Sequence, residues 1–265
     1  NAFRGNGEWG PNAPRRIIKG ARALLRKMHF RSDDFIAEHG RRQRVFMHSM
    51  SDIFDNEVSA ELRIDALDAA EAAPGVNIQL VTKRVSNVEK MVPFHWLEGQ
   101  WPKHIGLMIS VCNQREANRD IPRLIELKKR LGIPWIGVSM EPLLEPVKID
   151  EWAKDLDWVI VGGESGRNAR PMHPAWAGAI MRACRRAGTA FFFKQWGEWL
   201  PEHEAPSELY DALRRHGVET KQMPADPNYF STVRFDNRTF FRAGKKRSGA
   251  LLEEEVRQAF PEALL

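Results

Sequence analysis

Short runs of apolar, β-branched and aromatic residues recur along the chain. They fall at Val45–Ser49, Ile78–Thr82, Ile105–Val111, Trp135–Ser139, Trp158–Gly162 and Ala190–Lys194. These runs are continuously apolar rather than alternating, the pattern of strands covered on both faces. Between most of them lie segments with apolar positions at helical spacing: Val58–Ala72, Ile121–Arg130, Ile149–Lys154 and Pro174–Ala187. A repeated strand–helix unit of about thirty residues predicts right-handed βαβ crossovers and a parallel sheet.

The punctuation fits that register. Pro174 stands where a first helical turn tolerates it, and Gly188 follows Arg185 and Arg186 at the other end. Leu131-Gly132-Ile133-Pro134 closes the preceding helix, with Lys128, Lys129 and Arg130 in its last turn. A further helix is expected over Ile17–Met28 and a first strand at Asn1–Phe3. The pattern weakens over Pro201–Tyr229, which reads as a loop-rich excursion, and Ala250–Phe260 reads as a terminal helix. The expected fold class is α/β: a (β/α) barrel, complete or partial, over residues 1–200. Residues 201–265 would form a C-terminal extension packed on it.

Composition narrows the setting. A hydrophobic content of 43% with 28% charged residues is ordinary for a globular protein. No apolar run approaches the roughly 20 residues a membrane helix needs, so no membrane partner and no secretory signal are expected. Cys112 and Cys184 give no disulfide framework, which points to a reducing cytoplasm. The net charge of +5 is uneven: residues 1–50 hold eleven Lys/Arg against four Asp/Glu. A second basic cluster lies at Arg242, Lys245, Lys246 and Arg247. Such stretches raise affinity for polyanions, nucleic acid among them; a solvated helix face and a solubilising tail are the plainer alternative.

Polar residues gather where barrel function resides, at the C-terminal ends of the strands. The six runs end in Ser49-Met50-Ser51-Asp52, Thr82-Lys83-Arg84, Ser110-Val111-Cys112-Asn113, Ser139-Met140-Glu141, Gly162-Gly163-Glu164-Ser165-Gly166 and Lys194-Gln195-Trp196-Gly197. A Ser after a strand also serves as a helix cap, and Glu141 alone would serve as a rim salt bridge. Lys83 and Lys194 need a carboxylate or a ligand anion at such a mouth. An internal ion-pair network with Asp52, Glu141 and Glu164 answers that need too, but the clustering on all six strands favours a ligand site. The glycine-rich turn lacks both GxGxxG spacing and a GK[ST] ending. His48, His95, His104 and His173 show no metal-ligand spacing.

Taken together, Phe46–Asp55 (FMHSMSDIFD), Val81–Arg84 (VTKR), Glu141–Leu144 (EPLL), Trp158–Gly166 (WVIVGGESG), Ala169–Pro174 (ARPMHP) and Phe191–Trp199 (FFFKQWGEW) resemble a phage-associated family of uncharacterised proteins. Trp9–Arg15 and Ala243–Lys246 fit it as well. Members of that family are similar to radical SAM enzymes, in strand-end order to the spore photoproduct lyase type, and carry three closely spaced cysteines near the N-terminus. The resemblance implies a radical-SAM/TIM-like barrel with a four-iron four-sulfur cluster and S-adenosylmethionine. It places the cysteine motif in a loop after Gly5, where this sequence passes directly to Asn6.

On that reading the chain is an enzyme that cleaves S-adenosylmethionine at a cluster. Ser49, Ser51, Asp52 and Lys83 would line the cofactor pocket with Ser110, Asn113 and Ser139. Glu141, Gly163, Glu164, Lys194 and Gln195 would face substrate or the rim. Nucleic acid, or a protein encoded alongside it, would be the partner. Two alternatives stay open: a cluster-free, metal-dependent hydrolase or nuclease using the rim carboxylates, and a non-catalytic barrel that binds nucleic acid or a partner.

Overall fold

Side-chain caps set the starts of the three longest helices. Ser59 Oγ accepts from the Leu62 amide at 3.3 Å and opens the helix Ala60–Glu71. Asn113 Oδ1 accepts from the Glu116 amide at 2.9 Å, and the Glu116 carboxylate takes the Cys112 amide at 2.7 Å. This reciprocal arrangement starts a helix at Gln114, well before Ile121, where the apolar spacing placed it. His173 Nδ1 accepts from the Ala175 amide at 3.2 Å, Pro174 takes the first turn, and Gly188 closes that helix at φ 74°.

A computed structural model of the chain describes residues 20–47, 51–215, 217, 220–223, 238–253 and 255–264. Two helices, α1 (Ala21–Phe30) and α2 (Ser32–His39), precede β1 (Gln43–Met47). Then follow α3 (Ala60–Glu71), β2 (Val76–Thr82), the short α4 (Val88–Met91) and α5 (Phe94–Leu97), β3 (Ile105–Ser110) and α6 (Gln114–Leu131). Next come β4 (Ile136–Met140), β5 (Trp158–Gly162), α7 (Pro174–Ala187) and β6 (Ala190–Gln195). The C-terminal part holds β7 (Leu200–Pro201), α8 (Ser207–Arg215), β8 (Thr220–Met223), β9 (Arg238–Phe241), β10 (Leu251–Leu252) and β11 (Glu255–Val256).

Strands β1 to β6 form one parallel sheet in sequence order. A doubly wound sheet would reverse its order at a switch point; sequential order is that of a (β/α) barrel. Among the described residues the sheet ends at β1 and β6, so the class is a partial (β/α) barrel, not a closed ring. The expected first strand at Asn1–Phe3 lies outside the described residues.

The chain divides into two compact units. One comprises Asn1–Leu107, Lys129–Pro134 and Leu264, the other Met108–Lys128, Trp135–Ala263 and Leu265. In the first, β2 is buried along most of its length, and the Arg44 guanidinium donates to the Leu264 carbonyl at 3.1 and 3.2 Å. In the second, β4 and β5 are buried at every position, as two covered faces require. Pairing of Ser139 with Ile160, and of Ile160 with Phe192, sets one face of that sheet. Along it stand Ser139 on β4 with Glu141 just past its end, Trp158, Ile160 and Gly162 on β5, and Phe192 and Lys194 on β6.

The amino-terminal end of this face is closed by rings. Trp158 lies 6.0 Å from Phe192 and 5.2 Å from Phe260, centroid to centroid, and its indole N–H donates to the Ala259 carbonyl at 3.0 Å. The carboxyl-terminal end carries the polar groups instead. The C-terminal segment corrects one expectation: Ala250–Phe260 is not helical. The Phe193 amide donates to the Arg257 carbonyl at 2.6 Å, and the Ala259 amide to the Phe191 carbonyl at 2.9 Å. The open edge of β6 thus takes the backbone groups that a helix would have kept for itself. Ile149–Lys154 shortens likewise to a 3-10 turn at Ala153–Asp155, and Ser207–Arg215 interrupts the expected loop with α8.

Candidate functional site

In the first unit the turn after β1 is held by its own donors. Asp52 Oδ2 accepts from Thr82 Oγ1, the Lys83 amide and Arg84 Nη1, each at 3.0 Å, while Oδ1 takes the Phe54 amide at 3.0 Å. Arg84 reaches Asp55 as well, at 3.4 Å. Buried Arg63 donates to the carbonyls of Ile53, Asp55 and Val58. Asp52, expected to face a cofactor, fastens the end of β1 to the end of β2. Ser51 and Lys83 stand exposed beside it, and Ser49 lies outside the described residues.

The second unit brings together the other expected residues. Lys194 Nζ meets Glu141 Oε2 at 2.8 Å, and Ser139 Oγ donates to Glu141 Oε1 at 3.2 Å. The lysine side chain is 44% exposed and the glutamate 18%, so the pair sits at the open end of the sheet face. Gly162 makes room for it: a Cβ there would come within 2.9 Å of Glu141 Oε2. Gly163 is compressed further, since a Cβ would lie 1.9 Å from the Trp196 carbonyl oxygen. That close approach lets the Gly163 amide donate to the Gln195 carbonyl at 2.9 Å and the Gln195 side-chain Nε2 to the Gly163 carbonyl at 3.0 Å. Gln195 is 9% exposed, and its Oε1 has no hydrogen-bond partner among the described residues. A buried acceptor left this way costs free energy that a ligand N–H would recover.

Glu164 is committed elsewhere. Arg170 grips it through Nε and Nη2, both at 2.9 Å, and adds its own amide at 2.8 Å. Asn113 serves as the cap of α6, and Ser110 is half-buried at the end of β3. Arg84 and Arg170 belong to the motifs quoted above, but sequence reasoning assigned them no role. The available signal was an arginine just past a strand end that already held an acid. Among the described residues no three His, Cys, Asp or Glu side chains converge as metal ligands would.

The two cysteines do not fit a cluster site. Cys184 lies in the middle of α7, and burial pushes its thiol up to about 12, so it stays protonated. Cys112 is buried as well. Three thiolates are needed, and the sequence holds two cysteines in all. The Gly5–Asn6 junction lies outside the described residues.

A parallel (β/α) sheet with a charged pair at its strand ends defines the class. The chain belongs to the family described as "Protein of unknown function (DUF5131)", which matches residues 14–261. No curated protein and no solved structure matches it. No helix among the described residues is long and apolar enough to cross a membrane.

Proposed function

We propose that the carboxyl-terminal end of the second unit's sheet binds S-adenosylmethionine through Glu141 and Lys194. The observation that carries this reading is their 2.8 Å ion pair at the open end of a face closed by rings at the other end. An α-amino acid presents the same two charges. Its ammonium can replace Lys194 at Glu141 while its carboxylate takes Lys194, so the internal pair keeps both charges satisfied until the ligand arrives. Ser139, which donates to Glu141 Oε1, offers a neutral partner beside the pair. The choice of this particular amino-acid ligand rests on the resemblance of the motifs quoted above to radical SAM barrels. When bound, the ligand supplies an activated sulfonium.

A radical reaction would need a cluster, and this chain's residues do not fit one; thiolates from outside this sequence would have to hold it. The metal-dependent hydrolase reading has less support. Its three carboxylates, Asp52, Glu141 and Glu164, are each engaged by their own cation: Arg84, Lys194 and Arg170.

Calorimetric titration and thermal melting of the intact chain test the proposal. Binding should raise the melting temperature by about 5 °C or more at a hundredfold excess over Kd, the shift expected of about 2.7 kcal/mol of linkage. Lys194→Ala and Glu141→Gln should each weaken binding at least tenfold, about 1.4 kcal/mol. The proposal fails if the wild-type chain does not bind, or if neither variant changes the affinity.

A further inference from the structure

We infer that two loops of the second unit, 163–170 and 242–249, form a track that grips the phosphodiester backbone of a nucleic-acid strand. Besides Arg170, four cations are exposed on them: Arg167, Lys245, Lys246 and Arg247. None of the four makes an ion pair among the described residues, unlike Arg170 with Glu164 and Arg242 with Glu198. Exposed cations on two loops tied to one another sum to a local positive potential that draws in an extended anion.

The track is built, not floppy. Arg242 Nη2 donates to the Arg167 carbonyl at 2.7 Å and so ties one loop to the other. The Gly244 amide donates to the Glu198 carbonyl at 3.0 Å, and buried Ser248 donates through Oγ to the Gly197 carbonyl at 2.8 Å. Gly244 and Gly249 adopt φ of 77° and 67°, which lets the turn close tightly around its lysines. Little ordering is left for a partner to impose. The same hydrogen bonds reach backbone only three residues beyond Lys194, so a bound strand would pass beside the strand-end pair.

The surface chemistry selects the partner. Every exposed residue of the two loops is polar or glycine, and none of the exposed large hydrophobic residues lies there. A protein interface wants an aromatic or aliphatic anchor, and a membrane surface wants an apolar wedge. No exposed aromatic ring offers a base a stacking platform. What remains is contact with phosphates, which positions a strand without reading its sequence. In the other basic region, Arg22 on α1 is bridged to Asp65, Arg31 just past α1 to Asp34, and Asp33 and Glu38 add acids on α2. The inference stands whether or not the strand-end pair binds S-adenosylmethionine.

Fluorescence anisotropy of the intact chain with labelled single-stranded DNA of about 20 nucleotides provides the test. A mixed sequence and oligo-dT should bind within about twofold of each other. The triple variant Arg167→Ala, Lys245→Ala, Lys246→Ala should bind at least tenfold more weakly at low salt. It should also flatten the log–log salt dependence by about two, near 0.7 per lost phosphate contact. Lys245→Arg with Lys246→Arg should retain binding, and Arg26→Ala with Lys27→Ala on α1 should change it less than twofold. Absence of binding by the wild type overturns the inference, as does an equal loss from the α1 variant. So does competition by polyglutamate on a par with unlabelled DNA, which would indicate an acidic protein. Competition by about 1 mM nucleoside monophosphate also overturns it, since that would indicate a pocket for a single phosphate. Circular dichroism of each variant separates lost contacts from lost fold.

Discussion

At the scale of single residues, acids next to strand ends divide into those that hold the fold and one, Glu141, that is proposed to exchange partners. Asp52 receives four donors from its own chain and is 13% exposed, so it behaves as a clasp. Removing it leaves Thr82 Oγ1 and the Phe54 and Lys83 amides without this acceptor, and Arg84 with Asp55 alone of its two acids. Asp52→Ala should therefore lower stability by about 2 kcal/mol or more, read from urea unfolding, while leaving binding at Glu141 and Lys194 intact. Glu141 differs in having only Lys194 and Ser139 as partners among the described residues. The sequence placed both acids at strand ends on equal terms. Which one was committed depended on Arg84, whose reach across to Asp52 and Asp55 is a matter of register that spacing along one chain does not reveal.

At the scale of elements, β3, β4 and β5 were legible because they are buried on both faces and so read as unbroken apolar runs. Helices were legible where periodicity coincided with a cap, as at Pro174 and Gly188. The start of α6 was hidden because polar Gln114–Asp120 carries little apolar period and the Asn113–Glu116 cap decides the matter. The terminal segment misled for a different reason. Its apolar residues suit a helix, but the edge of β6 competes for its amides and carbonyls, and that demand is non-local. Phe260, packed edge-on against Phe192 and tilted against Trp158, anchors the segment. Phe260→Ala should lower stability by about 1–3 kcal/mol, less than a fully buried ring would. Truncation before Arg257 should do more: with the β6 edge bare, the protein should self-associate, visible as higher-mass species in light scattering. A truncated chain that remains monomeric would contradict this.

For the whole molecule, two buried groups in separate units set a pH window. Burial holds the His104 imidazole below its ordinary value, with its Nε2 beside the Ala70 carbonyl. The unfolded chain then binds the proton more readily, so this contribution is present above about pH 6.5 and is lost as the solution is acidified below it. Cys184 acts in the opposite sense. Its thiol, raised to about 12, keeps its proton when folded, so stability declines as pH climbs from the ordinary thiol range toward 12. Urea midpoints measured across pH should fall on both sides of a neutral plateau. Cys184→Ala should remove the alkaline dependence even where it lowers the plateau itself.

The β6 edge carries a consequence for biosynthesis. The strand leaves the ribosome well before Arg257–Ala259, the segment that covers it. At about 5–20 residues per second that interval is on the order of seconds. Throughout it, the nascent second unit displays an unpaired row of amides and carbonyls flanked by Phe191, Phe192 and Phe193. Cellular yield should thus respond to translation speed over the stretch between β6 and its cover, and to holdase chaperones that shield a bare strand. A fused domain that draws the tail away from β6 should cost more soluble protein than the same domain attached through a long flexible linker.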